Sequence, residues 1–81
     1  MLKLDAKILR AEVVHTGPDL VLVCAQLRAD CEAAGHALAQ REHNADRWIA
    51  ATAIRLEVPL VSNDTIFRGV PRLRLESIPH A

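Results

Sequence analysis

Asp46 and Asp64 are the residues of this sequence best suited to chemistry. The stretch that holds them runs H-N-A-D-R-W-I-A-A-T-A-I-R-L-E-V-P-L-V-S-N-D-T-I-F from His43 to Phe67. Paired carboxylates offer hard oxygen donors, which select Mg²⁺ or Mn²⁺. Brought close together, they resist ionising at once unless a cation neutralises them. An ion held there can orient water, lower its pKa and offset charge on a phosphoryl oxygen, as phosphodiester hydrolysis requires. Ser62, Asn63 and Asn44 stand near enough in sequence to hold waters or steady a carboxylate. Two acids are few for an ion that takes about six oxygens. As helix-start residues, aspartates also need no metal to explain them.

The elements that must position this pair follow from the apolar pattern. Residues 2–10 read as the tail of a helix, and Glu12-Val13-Val14-His15 as a short strand. Thr16 to Asp19 is a turn, with Pro18 suited to the first helical position and Asp19 to the positive end of the dipole. Leu20, Val23, Cys24, Leu27, Cys31 and Ala34 form a helical stripe that Gly35 terminates. His36 to His43 has no period and reads as a connector. Asn44 can cap a helix from Ala45 to about Glu57, buried on more than one side, with Ala50, Ala51 and Ala53 allowing close approach. Val58 to Ser62 is a strand covered on both faces, with Pro59 near its start. Asp64 to Phe67 is one helical turn, 69–71 a loop, and Leu73 to Glu76 an edge strand.

This order predicts that the aspartates meet. Helix N-termini and strand C-termini share one edge of an open α/β layer, and ligands bind there. A helix from Ala45 to Glu57 descends ~20 Å and a five-residue strand returns ~16 Å, so Asp46 and Asp64 arrive at the same edge. The eight residues of the connector span up to ~27 Å, enough to climb back to that edge.

Bulk properties narrow the function classes. Eighty-one residues make one domain at most, and a chain of this size buries only ~60% of its unfolded surface. Hydrophobic residues make up 51% and charged ones 25%, which is globular rather than disordered. The formal net charge is zero, so any nucleic acid must be met at a local site. No apolar run approaches the ~20 residues of a membrane span. Cys24 and Cys31 fall on one helix face but ~10 Å apart along the axis, too far for a disulfide. Reduced thiols fit a cytosol. His36 and His43 lack the further ligands that zinc needs. Trp48 reads as core rather than as a base-stacking platform. Arg47, Arg68, Arg72 and Arg74 flank the aspartates and are candidates for guiding an RNA backbone, Arg68 first.

Taken together, D-R-W-I-A-A-T-A-I at 46–54, P-L-V-S at 59–62, and Asp64 with Phe67 behind it resemble the C-terminal half of PIN-domain ribonucleases, most of all the VapC-type toxins of prokaryotic toxin–antitoxin pairs. L-R-A-D-C-E-A-A-G-H-A-L at 27–38 fits a subgroup of them, and the resemblance covers about residues 12–78. It implies an α/β fold, a PIN-like three-layer α/β/α with a short parallel sheet. It implies Mg²⁺- or Mn²⁺-dependent endoribonuclease activity in the cytoplasm, a homodimer, and a cognate antitoxin that blocks the acidic pocket. Asp46 and Asp64 match two of the family's acidic ligands, Ser62 is a hydroxyl beside them, and Asn44, Asn63 and Arg68 are candidate substrate contacts. The family's opening strand, which ends in an aspartate, and the glutamate-bearing helix after it are expected to be missing, with Leu4-Asp5-Ala6 only a faint echo. The chain is therefore expected to be one partial domain over 1–81, truncated, weak or inactive alone, and poorly soluble for want of a strand at the sheet edge. The competing reading is a non-catalytic interaction module that keeps the dimer or antitoxin surface of a decayed toxin.

Overall fold

The computed structural model describes residues 3–7 and 17–77. Strand β1 is Leu4–Asp5, helix α1 Pro18–Ala34, helix α2 Asn44–Leu56, strand β2 Leu60–Val61 and strand β3 Leu75–Glu76. Short 3₁₀ turns occupy Ala37–Ala39, Arg41–His43 and Thr65–Phe67. The three strands form one parallel sheet in the order β1-β2-β3, with Leu4 opposite Leu60 opposite Leu75, and Asp5 opposite Val61 opposite Glu76. The protein is thus a mixed α/β fold, as its pattern of elements predicts.

Helix α1 forms where Pro18 presets the first turn and ends where Gly35 adopts φ 69°, its N–H bonding back to Cys31 and Glu32 carbonyls. It buries the expected stripe of Leu20, Cys24, Leu27 and Cys31. α1 packs on α2, whose Ala50, Ala51 and Ala53 are fully buried in the same core. Leu60 closes the core from the sheet, together with Leu38 and Phe67. Side chains alternate across a strand. Leu4, Leu60 and Leu75 therefore face this core, while Asp5, Val61 and Glu76 share the opposite, half-covered face.

Several expectations need correction. Residues 4 and 5 are not a helix tail: the Leu4 N–H donates to the Pro59 carbonyl at 3.0 Å, and the chain turns helical only at Ala6 and Lys7. β1 therefore pairs with β2 along one of its sides. The connector at 36–43 is wound into two 3₁₀ turns. Asn44 is the first residue of α2 rather than its cap, because its side-chain oxygen takes a hydrogen bond from Arg47 at 2.8 Å, leaving His43 at the cap position. Helix α2 stops at Leu56, where Glu57 takes the left-handed conformation with φ 56° and Arg74 donates to its carbonyl at 2.9 Å. The strand expected over 58–62 is confined to Leu60–Val61. The strand expected at Glu12 to His15 lies outside the described residues.

Candidate functional site

Parallel pairing sets the ends of β1 and β2 at one edge of the sheet. The general geometry of an α/β layer sets helix N-termini at the same edge as strand C-termini. Asp5 closes β1, level with Val61 and one residue short of Ser62. Asp64 lies three residues beyond β2, and Asp46 lies in the first turn of α2. The segments carrying these residues share neighbours. The turn at Ala37–Ala39 packs on α2 and on Thr65–Phe67, and α2 itself touches Thr65–Phe67. His36 cements this contact. Its Nδ1 accepts the Leu38 N–H at 3.0 Å, and its Nε2 therefore carries the proton and donates to the Arg68 carbonyl at 2.6 Å.

Each predicted site residue has a local role. The Asp64 carboxylate accepts the Ile66 N–H at 3.1 Å and so caps the turn that follows. The Asp64 N–H in turn donates to Ser62 Oγ at 3.0 Å, which explains why the Ser62 hydroxyl is tolerated at 7% exposure. Asp46 is partly buried, with a carboxylate oxygen 3.4 Å from His43 Nδ1. Asn63 is exposed between Ser62 and Asp64. Asn44 is tied to Arg47, and the Arg68 side chain is exposed.

Arg47 departs furthest from its sequence reading. Only 6% exposed, it donates to the carbonyls of Leu38 at 3.0 Å and Gln40 at 3.3 Å as well as to Asn44, binding the connector to α2. It does not guide a backbone at the surface. Arg72 and Arg74 are likewise engaged, with Asp30 and with the Glu57 carbonyl.

Asp5, read from the sequence as only a faint echo of the family's opening pattern, ends β1. Its Oδ1 accepts the Lys7 N–H at 2.9 Å, in the same manner as Asp64 holds its own following turn. The available signal was an aspartate directly after an apolar residue near the start of the chain.

Among the described residues no three His, Cys, Asp or Glu side chains gather closely enough to form a metal-holding group. Two carboxylates are nonetheless of the right chemical type for Mg²⁺, which keeps several waters and binds protein through about one or two acids. Also among the described residues, no helix is long and apolar enough to cross a membrane. No protein-family model matches the chain, and no curated protein or solved structure matches it either.

Proposed function

We propose that this chain is a Mg²⁺- or Mn²⁺-dependent endoribonuclease of PIN type, acting in the cytoplasm as the toxin of a toxin–antitoxin pair. What supports the reading is the parallel pairing that ends β1 at Asp5 level with Val61, three residues before Asp64, together with contact between α2 and the Thr65–Phe67 turn that Asp64 caps. Asp46 and Asp64 would hold the ion, which when bound supplies a polarised water and offsets charge on the scissile phosphate. Ser62 fixes the turn on which Asp64 stands, through the 3.0 Å bond to the Asp64 N–H. Asp5 adds a further carboxylate at the end of β1. Asn63 is exposed beside Asp64, placed to meet an incoming strand.

The test is cleavage of single-stranded RNA with Mg²⁺ or Mn²⁺, beside Asp46→Asn and Asp64→Asn. Cleavage that requires the metal and falls at least ~100-fold in both variants supports the enzyme. Cleavage no faster than that of Asp46→Asn overturns it.

A second reading rests on the surface of the helices. Val21, Leu22 and Leu56 are 48%, 69% and 49% exposed, which favours a non-catalytic module that docks a second copy or an antitoxin there. Stable antitoxin capture by a chain that cuts no RNA decides for this reading.

A further inference from the structure

A cleft of about 430 Å³ opens beside the first turn of α2, lined by Arg28, Arg41, Asn44 and Arg47. Three arginines and no acid line it. Arg47 is a buried cation, and its hydrogen-bond partners among the described residues are uncharged: two backbone carbonyls and the Asn44 amide oxygen. Its charge is therefore not cancelled by a carboxylate, and in a partly desolvated wall such a charge acts strongly on an anion. Arg28 and Arg41 stand exposed at the mouth. Arg28 reaches Glu32 only through Nε at 3.4 Å, on a side chain 58% exposed, which leaves both terminal nitrogens to donate elsewhere. Arg41 has no carboxylate partner among the described residues. The nearest acids in sequence are Glu42 and Asp46. Glu42 is exposed, and Asp46 is turned to His43.

The cleft continues into an apolar shelf. Arg28, Asn44 and Arg47 also border a neighbouring hollow of about 260 Å³, completed by Val21, Cys24, Ala25 and Trp48. Trp48 is half-buried rather than sealed in the core. Arg47 and Cys24 both line this hollow, so the basic wall and the shelf share a boundary. Fork-shaped guanidinium groups match phosphate oxygens, and an indole beside an apolar floor matches a nucleobase.

We infer that this cleft and shelf bind one nucleotide unit, its phosphate held by Arg28 and Arg41 over the buried charge of Arg47, and its base against Trp48. The inference needs no bound metal and does not depend on the nuclease reading, though Asn44 and Arg47 flank Asp46 in the first turn of α2. Its ligand is either a free nucleotide or a residue of a single strand. Phosphate contacts of this kind are worth about tenfold each in affinity.

Trp48 is the chain's only tryptophan, and there is no tyrosine, so its fluorescence reports this site directly. The protein is titrated, without metal, with adenosine monophosphate, with a ten-nucleotide single-stranded RNA, with inorganic phosphate and with an oligoglutamate peptide. Quenching by the nucleotide or the RNA is expected, with an apparent affinity about tenfold lower in Arg28→Ala and in Arg41→Ala, partly restored in Arg41→Lys, and unchanged in Arg55→Ala. Stronger binding of RNA than of the mononucleotide identifies a strand site, and the reverse identifies a free-nucleotide site. For RNA, the double Arg28→Ala/Arg41→Ala variant lowers the slope of log affinity against log salt by about 0.7 to 1.4. The inference is overturned by an absence of quenching at millimolar nucleotide. It is also overturned by an equal loss in Arg55→Ala, or by oligoglutamate quenching as strongly as RNA.

Discussion

Asp64 takes its hydrogen bond from a backbone N–H two residues ahead, at Ile66, whereas Arg47 sends its own to carbonyls seven and nine residues behind it. Asp5 follows the pattern of Asp64, bonding the Lys7 N–H. These two carboxylate bonds each organise a turn in their own segment, while the arginine ties separate segments together. A local bond organises a turn, and a substitute that keeps one acceptor leaves the turn intact. A bond between segments sets the position of the connector on α2, and no neighbour can replace it. Arg47 is thereby committed to the fold.

The sharpest way to break this contrast is Arg47→Met, which preserves the aliphatic bulk but orphans the Leu38 and Gln40 carbonyls. A buried acceptor left unpaired costs ~1–3 kcal/mol, so about 3 kcal/mol should be lost in a urea titration. Stability equal to wild type would mean that Arg47 is as dispensable as the edge acids.

The edge itself is tested by comparing Asp64→Asn with Asp64→Ala. Asn caps as well as Asp, so the first should leave stability unchanged while removing the carboxylate proposed to hold the ion. The second loses the cap and should cost ~1 kcal/mol. A large loss in Asp64→Asn, read from the urea midpoint, would show that the carboxylate charge holds the fold.

What the sequence revealed divides along the same line. The α1 stripe was legible because helical period is a local property, and Gly35 marked its end for a local reason. The descent of α2 and return of β2 were legible from length alone, and they carried the expectation that Asp46 and Asp64 share an edge. β1 was not legible: two residues show no period, and their partner is a strand far along the chain, at Leu60–Val61. The role of Arg47 was hidden for a similar reason. It stands in a helix that reads as apolar almost all round, and its burial is decided by carbonyls of a connector with no pattern of its own.

The thiols of α1 extend the contrast to pH. Burial pushes the Cys24 and Cys31 thiols up from their ordinary range, with Arg47 opposing the shift at both. A thiol whose folded pKa lies above its unfolded one keeps its proton in the native state after the unfolded chain has lost it. Its contribution is therefore complete below the ordinary thiol pKa of ~8.5 and is lost as pH rises from there through the folded value. Urea midpoints should be level from pH 6 to 8 and fall toward pH 10, with a shallower fall in Cys24→Ala. A flat profile in the native sequence would place the thiols nearer to water than their burial indicates.

The smallest effect belongs to a pair that is long-range, like Arg47, yet exposed, like Asp64. Lys3, one residue before β1, reaches Glu76 at the end of β3 with 2.9 Å between charged atoms, crossing the face of β2 that carries Val61. Both side chains are more than two-fifths exposed, so solvent screens the attraction and the side-chain entropy of two long residues opposes it. Lys3→Ala should cost only a few tenths of a kcal/mol, and the loss should vanish at about 0.5 M salt. A cost near that of Arg47→Met would change the lesson. Sequence separation alone would then decide which charged contacts hold this fold, whereas a small, salt-sensitive cost shows that separation matters only when the charge is also taken out of water.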